Sequence, residues 1–212
     1  TGAQMGGWFS KEINSVEDLK GLKMRIAGLA GQVMAKLGVT PQQIAAGDVY
    51  SALERGTIDA SEFVGPYHDL ALGLVKVAKY YYYPAWWEGG PVIHAFSNLD
   101  KFNELPASYQ QILTDACDAV NLDMLARYDA GNPKALRQLV ADGAVLKPFS
   151  EEILDACYAA SQETFAEISA ENEWFKTIYD SQQEFKKDAY LWMQLAEFSF
   201  DKYMMVQQRK DW

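Results

Sequence analysis

One arginine sits where a solvated cation has little reason to be. In Leu22-Lys23-Met24-Arg25-Ile26-Ala27-Gly28, Leu22, Met24 and Ile26 share one face, and Lys23, Arg25 and Ala27 share the other. That is the period of two of a β-strand. Gly28 and Gly31 then open a turn into a helical pattern over Gln32–Leu37, which Gly38 ends. An arginine near the carboxyl end of a strand, beside a strand-to-helix turn, lies where open α/β sheets bind ligands. Its planar fork suits a carboxylate, with two parallel hydrogen bonds. The alternative is a partly buried arginine paired with an Asp or Glu of its own chain.

The other chemistry-bearing groups are oxygen donors at turns. Glu62 follows the extended Ile58–Ser61 segment, Glu88 lies between Trp86-Trp87 and Gly89-Gly90-Pro91, and Gln4 stands in the glycine-flanked Gly2–Gly7 segment. Two carboxylates and a carboxamide can hold a hard cation such as Na⁺ or Ca²⁺. They can equally supply a general acid and base, or be three solvated turn residues; spacing does not choose. No G-x-S-x-G, P-loop, H-E-x-x-H or complete dinucleotide fingerprint is present. His94, between Ile93 and Ala95, reads as a structural histidine in a strand, and His68 as part of a helix N-terminus. Cys117 and Cys157 lie in helix-like stretches and read as small core thiols, or as a pair should their helices touch in an oxidising compartment.

Composition narrows the classes. A chain of 212 residues with 49% apolar and 23% charged residues can build a core, as one large domain or two small lobes. The net charge of −10, with no basic run, excludes a nucleic-acid partner. No run of 18 apolar residues predicts a membrane-spanning helix.

The elements that must position these groups alternate over residues 1–98. Extended segments are expected at Lys23–Ala27, Val39–Ala45, Ile58–Val64, Tyr80–Trp87 and Pro91–Phe96. Helices are expected at Gln32–Leu37, Asp48–Arg55 and Pro66–Ala78, which together give an α/β lobe. The second half is helical: a long pattern from Leu105 is broken at Gly131-Asn132-Pro133 and resumes over Lys134–Ala141. A short strand at Ala144–Phe149 precedes a helix capped by Ser150. From Trp174 onward there is neither Gly nor Pro, and apolar residues cover much of a helix circumference, more than one lobe requires.

Three blocks in order, Ser15–Arg25, Asp48–Ala60 and Leu105–Leu113, resemble the DctP-type extracytoplasmic solute receptors of TRAP transporters. Gly2–Phe9, Glu62–Pro66 and Tyr83–Glu88 look like the branch that binds 2-oxo acids such as pyruvate. The resemblance implies a type II periplasmic-binding-protein fold, two-lobed, in the periplasm, with TRAP membrane subunits as partners and no catalysis. It implies that Arg25 takes the substrate carboxylate and that a bound Na⁺ or Ca²⁺ is held by Gln4, Glu62, the Phe63 carbonyl and Glu88. Gln4, Phe63 and Trp87 would join Arg25 around the substrate. Phe63 stands where that branch usually carries Trp, which keeps an aromatic wall but removes an N–H. The branch dimerises through a long C-terminal helix, which accounts for the apolar girth after Trp174.

Family members extend further at the N-terminus, so the resemblance implies an incomplete fold. On this reading residues 1–98 form the ligand-binding α/β lobe, 99–173 a mainly helical part of the second lobe, and 174–212 the dimerising helix. Two other classes stay open at this point. One is a small-acid enzyme using Glu62 and Glu88, and the other a helical protein-interaction module.

Overall fold

The computed structural model describes residues 1–210. Short strands build one six-stranded sheet from β1 (Gly7–Phe9), β2 (Lys23–Arg25), β3 (Thr40–Gln42), β4 (Ala60–Ser61), β5 (Tyr80–Tyr83) and β6 (Val145–Pro148), in the order β3-β2-β4-β1-β5-β6. β2 is parallel to β3 and β4, and β5 is parallel to β6. β1 runs antiparallel to β4 and β5. Register between β2 and β4 is fixed by Asp59, whose carboxylate accepts the Lys23 N–H at 2.9 Å while its own N–H donates to the Lys23 carbonyl at 2.7 Å.

Both sheet faces are covered, which explains the aromatic run at Tyr80–Tyr83. Consecutive Trp8 and Phe9 in β1 enter opposite core clusters, and so do consecutive Tyr81 and Tyr82 in β5. Strands buried on both faces read as continuous apolar runs rather than alternating ones. One cluster packs Met34 of α1 (Gly28–Lys36) with Ile153 and Cys157 of α6 (Glu151–Glu171); the other packs Leu53 of α2 (Val49–Glu54) with Leu139 of α5 (Ala107–Ala141), which the short α4 (Leu99–Asn103) precedes. Tyr82 keeps its hydroxyl bonded by accepting the Ile13 N–H at 2.7 Å, as a buried phenol requires. At the start of β1 there is no room for side chains. A Cβ on Gly6 would lie 2.5 Å from the Phe149 ring, and one on Gly7, at φ +104, would lie 2.8 Å from the Ser61 carbonyl oxygen.

Several expectations are corrected. Pro91–Phe96 forms no strand: no neighbouring strand pairs with it, and Phe96 is 93% exposed. His94 is therefore exposed rather than structural. The extended Tyr80–Trp87 segment ends at Tyr83, since Pro84 has no N–H for the ladder. The helix begun at Pro66 ends at Leu72, where Gly73 turns left-handed (φ 67), and a 3-10 turn replaces its remainder. Gly131-Asn132-Pro133 does not break α5, which runs on to Ala141. Packing overrides the sequence there. Asn132 accepts the Tyr67 N–H at 3.0 Å from α3 (Pro66–Leu72), and Gly131 lets the Tyr67 ring approach so closely that a Cβ would sit 2.7 Å from it. Of the two expected core thiols, Cys157 is buried and Cys117 is exposed.

The domain boundary also differs. Residues 1–161 make one compact unit and 162–212 another. The stretch after residue 98 belongs largely to the first, because β6 extends the sheet beside β5. In the second unit Asn172 caps α7 (Glu173–Leu195), accepting the Phe175 N–H at 2.9 Å, and Phe165, Phe175 and Tyr179 cluster their rings. The single helix expected over 174–212 is two, α7 and α8 (Glu197–Gln208), parted at Ala196. The sequence there carries neither Gly nor Pro to announce the break; Asp211 and Trp212 lie outside the described residues. Trp174, Phe185, Trp192 and Phe198 are all more than 60% exposed.

Candidate ligand-binding cleft

Arg25 is the last residue of β2, and Glu62 follows β4, the parallel neighbour; the Glu62 N–H donates to the Arg25 carbonyl at 3.1 Å. Parallel pairing therefore sets these two side chains next to one another at the carboxyl edge of the sheet. Arg25 Nη1 forms an ion pair with Glu62 Oε1 and donates to the Glu62 carbonyl at 3.1 Å, while Nε donates to the Ile44 carbonyl at 3.3 Å. Of the two readings open for Arg25, pairing with an acid of its own chain is the arrangement present, and that acid is itself a candidate cation ligand. The Phe63 ring lies 5.9 Å from the guanidinium, within range of a cation–π contact.

A cleft of about 540 Å³ opens beside this pair. Gln4, Arg25, Glu62, Phe63, Trp87 and Glu88 all line it, so the residues expected around a carboxylate and a cation meet there. Other residues that the sequence reading did not assign to a site also line it, among them Leu29, in the first turn of α1, Val64, and exposed Ile93. The segments are held by backbone bonds. The Gln4 carbonyl accepts from Ala85 at 3.3 Å, the Gln4 N–H donates to the Glu88 carbonyl at 3.4 Å, and the Met5 N–H donates to the Val64 carbonyl at 3.2 Å.

The donor set suits a hard cation. The Gln4 carboxamide places one terminal atom 2.9 Å from Glu88 Oε2 and 3.1 Å from the Phe63 carbonyl oxygen. With nitrogen there it donates to both; with oxygen there, three acceptors converge with no proton between them. Oxygens bound at 2.3–2.6 Å around one ion lie about 3 Å apart, so that second orientation is the one a cation stabilises. Among the described residues no three His, Cys, Asp or Glu side chains gather to hold a metal. A cation held here would take amide and carbonyl oxygens as well, which is the chemistry of Na⁺ or Ca²⁺ rather than zinc. Burial pushes the Glu62 carboxyl up to about 7 against the pull of Arg25, with Glu88 and Asp69 adding to the rise. Burial also raises Glu88.

A mixed sheet covered on both faces, with oxygen donors and one arginine gathered at its carboxyl edge, defines a lobe of the type II periplasmic-binding-protein class. The chain belongs to the bacterial extracellular solute-binding protein family 7 (DctP), which it matches over residues 1–172. The family comprises extracytoplasmic receptors of transporters rather than enzymes, and the acid/base alternative for Glu62 and Glu88 falls with it. The chain is 50% identical to the monocarboxylate 2-oxoacid-binding periplasmic protein of Nostoc over 203 residues, 96% of this chain and 56% of the relative. It superposes on a TRAP transporter solute-binding protein of Bordetella bronchiseptica with a TM-score of 0.93 at 46% identity, covering 99% of this chain and 62% of that one. That protein was crystallised as a mixed-occupancy dimer, calcium and picolinate in one active site and the other apo. A TRAP periplasmic solute-binding protein of Colwellia psychrerythraea, with bound calcium and pyruvate, superposes with a TM-score of 0.87 at 41% identity, covering 94% and 61%. The chain thus spans less than two thirds of the length of these relatives. Among its described residues, no helix is long and apolar enough to cross a membrane.

Proposed function

We propose that this chain carries the ligand-binding cleft of a periplasmic TRAP receptor for a small 2-oxo monocarboxylate. One observation carries the reading: a cationic fork and a set of oxygen donors line the same cleft, so a carboxylate and a cation can be bound side by side. Gln4, Glu62, the Phe63 carbonyl and Glu88 would hold Na⁺ or Ca²⁺, which when bound supplies positive charge for the ligand's oxygens. Arg25 binds the carboxylate of the acid. Phe63 and Trp87 wall the site and exclude water, which strengthens the charged contacts.

Since Arg25 is paired with Glu62, an arriving carboxylate takes a place that Glu62 now holds, and a cation gives Glu62 a new partner. Carboxylate and cation therefore favour one another. The exposed apolar faces of α7 and α8 are the surface through which we propose the receptor forms a homodimer, and TRAP membrane subunits are its proposed recipients. Calorimetric titration with pyruvate, with and without Ca²⁺ or Na⁺, tests the reading. Cation-dependent heat is expected; binding equally strong in chelator removes the cation from the proposal, and no binding in any buffer overturns it.

A further inference from the structure

Asp69 is fully buried in the first turn of α3 and does not itself line the cleft. Its carboxylate accepts four hydrogen bonds. Oδ2 takes the Trp8 indole N–H at 2.9 Å and the Tyr81 hydroxyl at 2.7 Å; Oδ1 takes the backbone N–H groups of Val64 at 3.3 Å and Gly65 at 3.1 Å. The donors come from three separate segments, and each segment carries at least one of the proposed cation ligands. Trp8 is in β1, which follows Gln4; Tyr81 is in β5, which leads to Glu88; Val64 follows Phe63 directly.

The third bond has a geometric consequence. The Val64 N–H and the Phe63 carbonyl belong to one planar trans peptide unit, so they point in opposite directions. By holding the N–H, Asp69 aims the carbonyl oxygen the other way, to its place 3.1 Å from the Gln4 carboxamide. The Glu62–Gly65 segment has no helix or ladder of its own to fix that peptide beyond β4. We propose that Asp69 is a positioning residue for the cation-binding oxygens, which fixes the Phe63 peptide and holds it in register with the segments of Gln4 and Glu88. This role rests on the proposed function.

The test titrates Ca²⁺ into the protein and its Asp69→Asn variant at saturating pyruvate. Circular dichroism checks the fold, and thermal midpoints are taken with and without Ca²⁺. An amide cannot accept at both ends, so the folded variant is expected to bind Ca²⁺ about 10- to 100-fold more weakly, and Ca²⁺ should raise its midpoint less than that of the parent. A folded variant with unchanged Ca²⁺ affinity, its midpoint lowered equally with and without Ca²⁺, assigns Asp69 to the core alone and overturns the proposal. A parent protein whose pyruvate binding depends on neither Ca²⁺ nor Na⁺ removes the cation from the proposed function and overturns this role with it. Should Asp69→Asn fail to fold, Tyr81→Phe, which removes a single donor, decides: weakened Ca²⁺ binding supports the role, and unchanged binding overturns it.

Discussion

Glu62 and Asp69 are both withdrawn from water in the same unit, and they are held in opposite ways. Asp69 accepts four hydrogen bonds from neutral donors, whereas the Glu62 carboxylate rests on a single cationic partner, Arg25. Burial pushes both upward from the ordinary carboxylate range. At Asp69 the hydrogen bonds of Tyr81, Trp8, Val64 and Gly65 oppose it; at Glu62 only Arg25 does. A carboxylate satisfied on both oxygens has no use for a ligand. One that shares a single cation can exchange it, and that is the property a binding site needs.

The largest break in this comparison is Asp69→Ala, which strands four donors in the core. It should lower stability by about 3–5 kcal/mol, read from urea unfolding; a loss below about 1 kcal/mol would mean that the network contributes little. Next is Arg25→Ala, expected to weaken pyruvate binding about 100-fold or more. An affinity within a few-fold of the parent would remove Arg25 from the carboxylate.

pH sharpens the comparison. Glu62 titrates near 7 when folded against 4.5 in the ordinary range, so between those values the folded state holds more protons than the unfolded. Its contribution to stability is thus full below about 4.5 and lost as pH rises through about 7. In cation-free protein this should cost on the order of 1–3 kcal/mol between pH 5 and 8, and Glu62→Gln should flatten the slope. An unchanged slope would show that Arg25 holds Glu62 ionised throughout. The smallest effect belongs to the Lys147–Glu12 pair, 3.0 Å apart and about one third exposed. Glu12→Gln should change stability by less than about 1 kcal/mol.

Which parts were legible in the sequence follows from the range of the interactions. Arg25 was visible because strand period and turn are local, and so were Ser150 as a cap and Gly38 as a stop. The pairing of Arg25 with Glu62 was not, since it depends on β2 lying parallel to β4, a contact 37 residues away in sequence. Asp69 is not marked as a functional residue by its neighbours in sequence, although a usable signal is present. Trp8 and Tyr81 lie in strands buried on both faces, and their N–H and O–H groups demand an acceptor nearby. Pro91–Phe96 shows the opposite failure, as residues with strand propensity form no strand when none lies beside them. At Pro133 a local breaker lost to the packing of α3 against α5.

The bare backbone at Gly6 and Gly7 has a consequence for mutational surveys of this protein. Even a methyl group there collides with Phe149 or with the Ser61 carbonyl, and relief requires the chain leading back to Gln4 to shift. A substitution library would score both positions as intolerant, at a level usually credited to ligand contacts. Neither glycine contributes an atom to the chemistry. Their value lies in the space they leave unfilled, and a survey of activity alone would mistake that clearance for binding.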